Sequence, residues 1–467
     1  MSSLLTLNGQ IKNSRSRVFR RLLIKRRNQG SGTYESLWLD ITKDVQKWGS
    51  IKKSIDSNKV NQFNFSNITL TMSNESGRYN PSEDDNSLWY GFGSQQRTLI
   101  KIITGFIYET QDAGGVWTPT AINAGASWND AKWDPNSSAS DAATTYSGFI
   151  SGDINITGDN KVNLPIVPLQ QCFRQYAASR LTGYNTSLTA SDFITLLRDQ
   201  VDSSGAYIFR PFFGNTTTNW QITSTSVEYA NLNTSTAEDL TNLTVWDVIQ
   251  KLAEAENFVP YVTSGGVFKF FSRNENTAAV FELFGGQSFS SQWGQTIKKI
   301  TWFGQRWNKY YSRVTVKWQK ADTTTSYETK DSQYLVRGDS GPWTLGEKTL
   351  SIQNTWIPSA TVANNIATNL FNEFSALREE VDFSTTFIPH LDVLDRVLLT
   401  YDQSPVTNNS LWDVYNWGDT TSAIDFTDLL WDNSPGDPIR FFQTEFRLIS
   451  VDINLDSFEC KYTGRRS

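Results

Sequence analysis

The chain has 467 residues, which at about 100–200 residues per domain are enough for roughly three domains with cores of their own. Aromatic residues make up 13% of the chain and charged residues only 19%, a composition typical of β-rich proteins because aromatic side chains suit a half-buried pleated surface. Residues 1–60 carry 13 Lys and Arg against 4 Asp and Glu, whereas the rest carries 29 against 44. This acidic body argues against a nucleic-acid-binding protein, which needs clustered Lys and Arg.

We expect neither a signal peptide nor a membrane span. Residues 1–7 lack the charged start and the long apolar run of a signal peptide, and no window approaches 18 uninterrupted apolar residues. The two cysteines, Cys172 and Cys460, are too few for a disulfide framework and are expected to be free, buried thiols. The pattern therefore predicts a protein that is kept in a reducing cytoplasm until it assembles.

Residues 10–110 are predicted to form one small β-domain. In 16–28 apolar and basic residues alternate in short blocks, which favours a strand with one solvated face over a basic arm that binds nucleic acid or membrane. A Gly-rich turn then leads to a second strand at 34–41. Residues 63–72 alternate between apolar and polar and predict one strand, and 98–103 predict a buried one.

Residues 111–150 are predicted to be an insertion or a long loop. They are rich in Ala, Gly, Ser, Thr, Asn and Asp, a composition that supplies little core. Trp128 and Trp133 lie in this segment, where they either pack it down or contact a partner.

Residues 151–285 are predicted to form a mixed α+β domain. Helices are expected at 169–178, 191–201 and 244–256, and a hairpin is expected around 264–266. The third helix has the clearest signals, because Thr244 and Asp247 have the spacing of a capping box ahead of an apolar stripe. Trp246 lies off that stripe and is expected near the capped end.

Residues 286–405 are predicted to be a second β-domain, interrupted by a helix at 359–377 that begins after Pro358. Residues 406–467 are predicted to contain a Trp/Asp-rich segment followed by strands that complete this domain. No fixed period of 20–50 residues is present, which excludes a solenoid or a propeller.

The residues that could carry chemistry are few, and we expect no catalytic, metal-binding or cofactor-binding residue. His390 is the single histidine of the chain, so a Ser-His-Asp or Cys-His device would have to use it, and a structural role is favoured. Residues 153–159 are similar to a calcium loop but lack its glutamate at the twelfth position. Adjacent acids such as Glu379 and Glu380 point to opposite faces of a strand and do not form a glycosidase pair.

Tryptophan next to aspartate recurs at irregular spacing in the second half of the chain. Trp412, Trp417 and Trp431 belong to such motifs. Surfaces that combine aromatic and acidic side chains can bind sugars, although packing in a core is the simpler interpretation. Together with Trp128 and Trp133, these residues are the candidates for contact with a partner.

A series of short segments occurs in an order that resembles the tail hub proteins of long-tailed bacteriophages and related phage-tail-like particles, also described as baseplate hub or tail tip proteins. The segments are 24–27, 34–35, 38–42, 48–51, 67–80, 87–91, 97–102, 243–253, 266–270, 357–360 and 395–399. The similarity is diffuse over 111–240 and 402–440.

The resemblance implies two tail-tube-like β-barrel domains that flank the mixed domain, and a homotrimeric ring that presents six barrels to a sixfold tube. It implies a virion structural protein without enzymatic activity or cofactor, located in the virion tail and assembled in the host cytoplasm. The implied partners are the tail tube and distal tail proteins, the tape-measure protein and tip or fibre proteins, with transient passage of DNA during ejection. The sequence leaves two alternatives open, a glycan-binding adhesin or fibre-head protein and a cell-wall glycosidase.

Overall fold

The structure, a computed structural model, describes residues 16–55, 63–81, 84–111, 117–119, 142–157, 159–181, 187–229, 242–272, 278–286, 296–319, 325–331, 348–375, 378–402 and 440–466. Within these residues strands predominate and helices are few, which confirms the predicted β-rich α+β fold. The domain boundaries set out above stay a prediction.

Most of the described strands before residue 170 form a sheet that closes on itself. The strands are β1 (Ser16–Lys25), β2 (Leu39–Asp40), β3 (Val45–Lys47), β4 (Ser50–Ile55), β5 (Phe63–Phe65), β6 (Ile68–Ser73), β7 (Leu99–Gln111), β8 (Trp117–Pro119), β9 (Ala142–Ile150), β10 (Asn155–Thr157) and β11 (Lys161–Pro168). The neighbours run β1, β7, β9, β11 and β6, while β2 pairs with β1 and β3 with β6. Because a single helical turn, Thr42–Asp44, joins β2 to β3, residues 39–47 carry the sheet from one edge back to the other. We call this closed sheet the first barrel.

The middle of the chain forms a mixed α+β unit. Its elements are α1 (Gln171–Arg174), β12 (Leu188–Thr189), α2 (Ala190–Arg198), α3 (Arg210–Phe213), β13 (Trp220–Ile222), β14 (Glu228–Tyr229), α4 (Val245–Glu256), β15 (Phe258–Val262) and β16 (Phe268–Ser272). The predicted hairpin is β15–β16, and the helices predicted at 191–201 and 244–256 are α2 and α4. The helix predicted at 169–178 is wrong in length. It ends after four residues as α1, because the chain then turns and Ala177 forms a β-bridge with Thr244.

The last part of the chain contains a second closed sheet and one long helix. The elements are β17 (Phe281–Gly286), β18 (Ile297–Gln305), β19 (Arg313–Gln319), β20 (Thr325–Asp331), β21 (Thr349–Gln353), α5 (Ala360–Phe374), β22 (Glu379–Thr385), β23 (Arg396–Asp402), β24 (Arg440–Asn454) and β25 (Glu459–Arg466). The neighbours run β17, β23, β24, β25, β22 and β18. The backbone N–H of Thr296 donates to Phe284 O at 2.9 Å and Thr296 Oγ1 accepts from Phe284 N at 2.8 Å, which joins β18 back to β17. We call this sheet the second barrel.

The two barrels have the same strand order. If the six strands of each barrel are numbered along the chain, with β2 and β3 counted as one, both rings run first, fourth, fifth, sixth, third, second. The directions of the paired strands agree along the path from the fourth strand through the fifth, sixth and third to the second, but the first strand is antiparallel to the fourth in the first barrel and parallel to it in the second. Both barrels also carry an insertion between their second and third strands, which is β4–β5 in the first barrel and β19–β21 with α5 in the second.

The hairpin β4–β5 leaves the first barrel and joins the second. Residues 50–54 of β4 pair antiparallel with 450–454 of β24, and β5 pairs with β4. The single strand predicted over 63–72 is therefore wrong, because residues 63–65 lie beside the second barrel and 68–73 belong to the first. The chain changes sheet at Ser66 and Asn67, where two consecutive polar residues shift the alternation by one position.

Two apolar cores organise the molecule. One core contains inward residues of both barrels, such as Leu22 and Ile102 from the first and Val397 and Leu448 from the second. The other core lies under α4, α5 and β19–β21 and includes side chains from the opposite face of the first barrel. The expectation that Trp246 lies off the packed stripe of its helix is wrong. It is 1% exposed and stacks on Phe173, because α4 is covered on two sides.

The capping box of α4 is present as predicted. Thr244 Oγ1 accepts from Asp247 N at 3.2 Å, and Asp247 Oδ2 accepts from Thr244 N at 2.9 Å. We expect Thr244→Ala to lower the free energy of unfolding by about 1 kcal/mol, because a buried helix end loses the acceptor for one of its free N–H groups. Urea unfolding followed by circular dichroism measures the free energy of unfolding, and Thr223→Ala, at an exposed position, is the control. Equal losses in both variants would contradict the capping role.

Candidate functional site: the junction between the barrels

The basic N-terminal part of the chain and its acidic remainder form ion pairs with each other. Basic residues of the N-terminal part form three ion pairs with acidic residues of the last part: Arg20–Asp456 at 3.8 Å, Lys52–Asp452 at 3.4 Å and Lys53–Asp392 at 2.9 Å. Asp456 also accepts the backbone N–H groups of Trp48 and Gly49 at 3.0 and 2.9 Å. Arg20 of the 16–28 segment therefore lies on a barrel strand, as favoured from the sequence, and helps to fasten one barrel to the other.

Lys53 lies at the centre of the junction. Its side chain has no exposed surface, and its Nζ lies 2.9 and 3.0 Å from the two carboxylate oxygens of Asp392. Nζ also donates to Ser264 Oγ and lies 4.7 Å from the ring centre of Phe65. The backbone N–H of Ser264 donates to Asp392 Oδ2 at 3.0 Å, and Ser264 O accepts from Ser147 Oγ at 2.8 Å. One buried ammonium thus joins the hairpin β4–β5, the turn between β15 and β16, and the loop between β22 and β23.

A second carboxylate, that of the partly buried Asp395, lies in the same loop. Asp395 Oδ2 accepts the backbone N–H of Asp392 at 2.7 Å. Burial, followed by the negative charge of Asp392, raises the pKa of Asp395 to about 7. Leu394 between them has a φ of 75°, a left-handed conformation that strains a residue with a branched side chain. The loop at the junction is therefore both charged and strained.

A second polar cluster ties the second barrel to α5. Glu380 on β22 is 1% exposed and faces three cations, with Lys309 Nζ at 2.8 Å, Arg465 Nε at 2.9 Å and Arg306 Nε at 3.0 Å. Arg465 also lies 3.6 Å from Glu373 of α5. These charges bring the barrel and the helix together at a place where apolar packing alone would leave no orientation preferred.

His390 has a structural environment. Both ring nitrogens are buried without a hydrogen-bond partner among the described residues, and the ring meets Phe281 edge-on at 5.5 Å. Burial lowers the pKa of His390 to about 4. No Ser or Cys among the described residues forms a hydrogen bond with it, so the described part of the chain contains no triad around this histidine.

We expect acid to destabilise the protein through His390. Its folded pKa of about 4 lies below the usual value of 6.5, so its contribution is present above pH 6.5 and is lost as the pH falls towards 4. The loss amounts to about 3 kcal/mol when complete. Unfolding of the wild type and of His390→Phe at pH 7 and pH 4.5 should show the variant gaining relative stability at the lower pH. An unchanged difference between the two proteins would contradict this.

Both cysteines are free and buried. Burial raises the pKa of each thiol well above its usual value, so neither has the character of a reactive thiolate. The backbone N–H of Ile388 donates to Cys460 Sγ at 3.3 Å.

The five tryptophans predicted as partner contacts lie outside the described residues. They are Trp128, Trp133, Trp412, Trp417 and Trp431, and they stay predictions. The junction residues were missed by the sequence reasoning, although one of them carries a signal. Lys53 has the same strand parity as Ile51 and Ile55, which places a lysine on the inward face of an alternating strand.

Two searches within the described residues gave no site. No group of three or more His, Cys, Asp or Glu side chains there could hold a metal ion. No helix there is long and apolar enough to cross a membrane.

The comparisons with known proteins find similarity in structure only. No family model and no curated protein matches the sequence. A tail protein from Neisseria meningitidis matches over 96% of this chain and 97% of its own, at 8% identity and a TM-score of 0.49. The 43 kDa tail protein of prophage MuSo2 from Shewanella oneidensis matches over 96% and 98%, at 10% and 0.44. A prophage tail protein from Listeria monocytogenes matches over 95% and 94%, at 11% and 0.44. All three are named as tail proteins, the class of protein that the sequence resembles.

Proposed function

We propose that this protein is a structural component of a phage-like tail, the hub that closes the distal end of the tail tube. The observation that carries the proposal is the repetition of one barrel topology within a single chain. Three copies arranged around a threefold axis would present six barrels of equal strand order, which is the symmetry that a sixfold tube requires at its end. First and second barrels would alternate around this ring. The face of the ring that is turned away from the tube would therefore have only threefold symmetry.

The rigid junction supports the same proposal. A hub transmits force between the tube and the tip, so its two barrels must keep their relative position. The shared apolar core and the three ion pairs between the N-terminal and last parts provide such a connection. We propose that the domain boundaries follow the two barrels and the mixed unit between them.

The charges are suited to the passage of DNA. The whole chain carries a net charge of −6, and Arg20, Lys52 and Lys53 are held in ion pairs within the molecule. A net negative charge repels phosphates, so DNA would pass without being retained. The proposed partners are the tube and distal tail proteins, the tape-measure protein and tip or fibre proteins, in the virion tail. We propose no chemical reaction for the chain.

The first test of the hub is the oligomeric state of the full chain. Native mass spectrometry should find a particle of three times 52.8 kDa at micromolar concentration. Electron microscopy should show a threefold ring with six barrel densities around a lumen wide enough for duplex DNA. A monomer at the highest soluble concentration would contradict the hub. Retention of that monomer on a glycan column would favour the adhesin instead, and muralytic activity would favour the glycosidase.

A further inference from the structure

The loop 391–395 meets three other parts of the chain at the junction. Its Asp392 binds Lys53 of β4 and the backbone of Ser264 in the turn between β15 and β16. Its backbone is held by β24, because Leu394 N donates to Leu448 O and Leu448 N donates to Asp395 O, each at 2.8 Å. The loop is thus the one described segment in which contacts of the hairpin, the middle unit and the second barrel converge.

The buried charges of the junction balance in only one protonation state. Four titratable groups face Asp395, namely Asp392 in its own loop, Lys53 on β4, Lys269 on β16 and Tyr462 on β25. Lys269 is half-buried, whereas Lys53 is fully buried. When Asp395 holds a proton, the fully buried pair is one ammonium against one carboxylate. When it loses the proton, a second negative charge lies beside Asp392 and the two carboxylates share Lys53, which is unfavourable in an environment of low dielectric constant.

The backbone adds to this balance. Leu394 is held at a positive φ directly before Asp395, a conformation that persists only while the surrounding contacts enforce it. Weakening the contacts of Asp395 and Asp392 would let this residue relax to an ordinary conformation. The loop then has a second arrangement available to it, and the charge of one carboxyl group decides between the two.

We propose that the Lys53–Asp392–Asp395 cluster is a charge-dependent lock, which holds the hairpin β4–β5 and the middle unit against the second barrel while Asp395 is protonated, and loosens when it is ionised. The lock is independent of the hub proposal, since it concerns contacts within one chain. It makes the attachment of the hairpin and of the turn at Ser264 responsive to the proton concentration around the protein, while the shared apolar core keeps the two barrels in place.

The direction of the pH effect follows from the same group. Burial raises the pKa of Asp395 to about 7, above its ordinary value of 3.8, so its stabilising contribution is complete below pH 3.8 and is lost as the pH rises to 7. The equilibrium constant for local opening should therefore rise by up to about tenfold per pH unit between pH 4 and 7 and become constant above.

Hydrogen–deuterium exchange of the full chain at pH 5 and pH 8 tests the lock, with labelling times scaled to the intrinsic exchange rate. Peptides that cover 50–55, 258–268 and 386–395 should lose protection at pH 8, whereas peptides of α2 should change little. Equal protection at both pH values in the wild type would overturn the proposal without the use of any variant.

Three variants assign the effect to the cluster. Asp395→Asn keeps the acceptor for Asp392 N but cannot ionise, so its exchange should be the same at both pH values. Lys53→Met leaves Asp392 without its cation and should open the junction at both. Lys52→Met is the matched control, because Lys52 is the neighbouring residue, is 64% exposed and pairs with Asp452. A pH response retained by Asp395→Asn, or equal opening in the two lysine variants, would contradict the lock.

Discussion

Glu380→Gln is expected to lower the free energy of unfolding by about 3–5 kcal/mol, the range for removing one partner of a buried ionic cluster. The carboxylate of Glu380 is almost fully buried and neutralises Lys309, Arg306 and Arg465. The amide would be similar in size but would leave these cations facing one another in an interior with little water. Denaturant unfolding monitored by tryptophan fluorescence gives the difference directly.

Glu379→Gln is the matched control for this prediction. Glu379 is the adjacent residue of β22, is less buried than Glu380 and forms an ion pair with Arg466 at 2.7 Å. Its replacement is expected to change the stability by less than about 1 kcal/mol. If the two variants lost similar amounts of stability, the strand would tolerate neither amide. The contacts of Glu380 with three cations would then stabilise the protein no more than the single ion pair of Glu379.

Gly286→Ala is expected to prevent closure of the second barrel, with a loss of about 3–5 kcal/mol or failure to fold. Gly286 has a φ of 100°, and a Cβ atom there would overlap the carbonyl oxygen of Asp402 on the paired strand β23. The neighbouring Gly285 is also constrained, since its Cβ would lie 2.6 Å from that of Ile297. Backbone atoms of the neighbouring strands β23 and β18 occupy the space that the new Cβ atom would need, so rotation of side chains cannot relieve the overlap.

Gly205→Ala separates the clash from the strain. Gly205 also has a positive φ, 81°, but a Cβ atom there would meet nothing within 4 Å. Its replacement is expected to lower the stability by about 1 kcal/mol, the conformational strain alone. Soluble expression and thermal unfolding compare the two variants. A Gly286→Ala protein as stable as Gly205→Ala would mean that β17 and β23 are not packed as closely as described.

The local elements of this fold could be predicted because their signals lie within a few residues. The capping box of Thr244 and Asp247 and the stripe after it identified α4, and the apolar spacing after Ser359 identified α5. These signals reflect helix caps and side-chain periodicity, which act over one or two turns.

The junction could not be predicted, because its contacts join distant parts of the chain. Nothing near Lys53 indicates that its partner is Asp392, and nothing near residues 50–55 indicates a pairing with 450–454. The wrong prediction of one strand over 63–72 has another cause, since the shift in alternation at Ser66 and Asn67 marks a break without naming the sheet that each half joins. A lysine at an inward strand position was the one available signal, and it predicts burial without naming the partner.

The hairpin β4–β5 has a consequence for biosynthesis. Its partner β24 lies far along the chain, and the hydrogen bond between Trp48 and Asp456 joins residues that are 408 positions apart. During synthesis the hairpin must therefore wait, with an unpaired strand edge, until β24 has left the ribosome. Nascent chains cut short before β24 would expose that edge and should be prone to aggregate or to bind chaperones, so the emergence of β24 is the step that commits the hairpin to its native pairing.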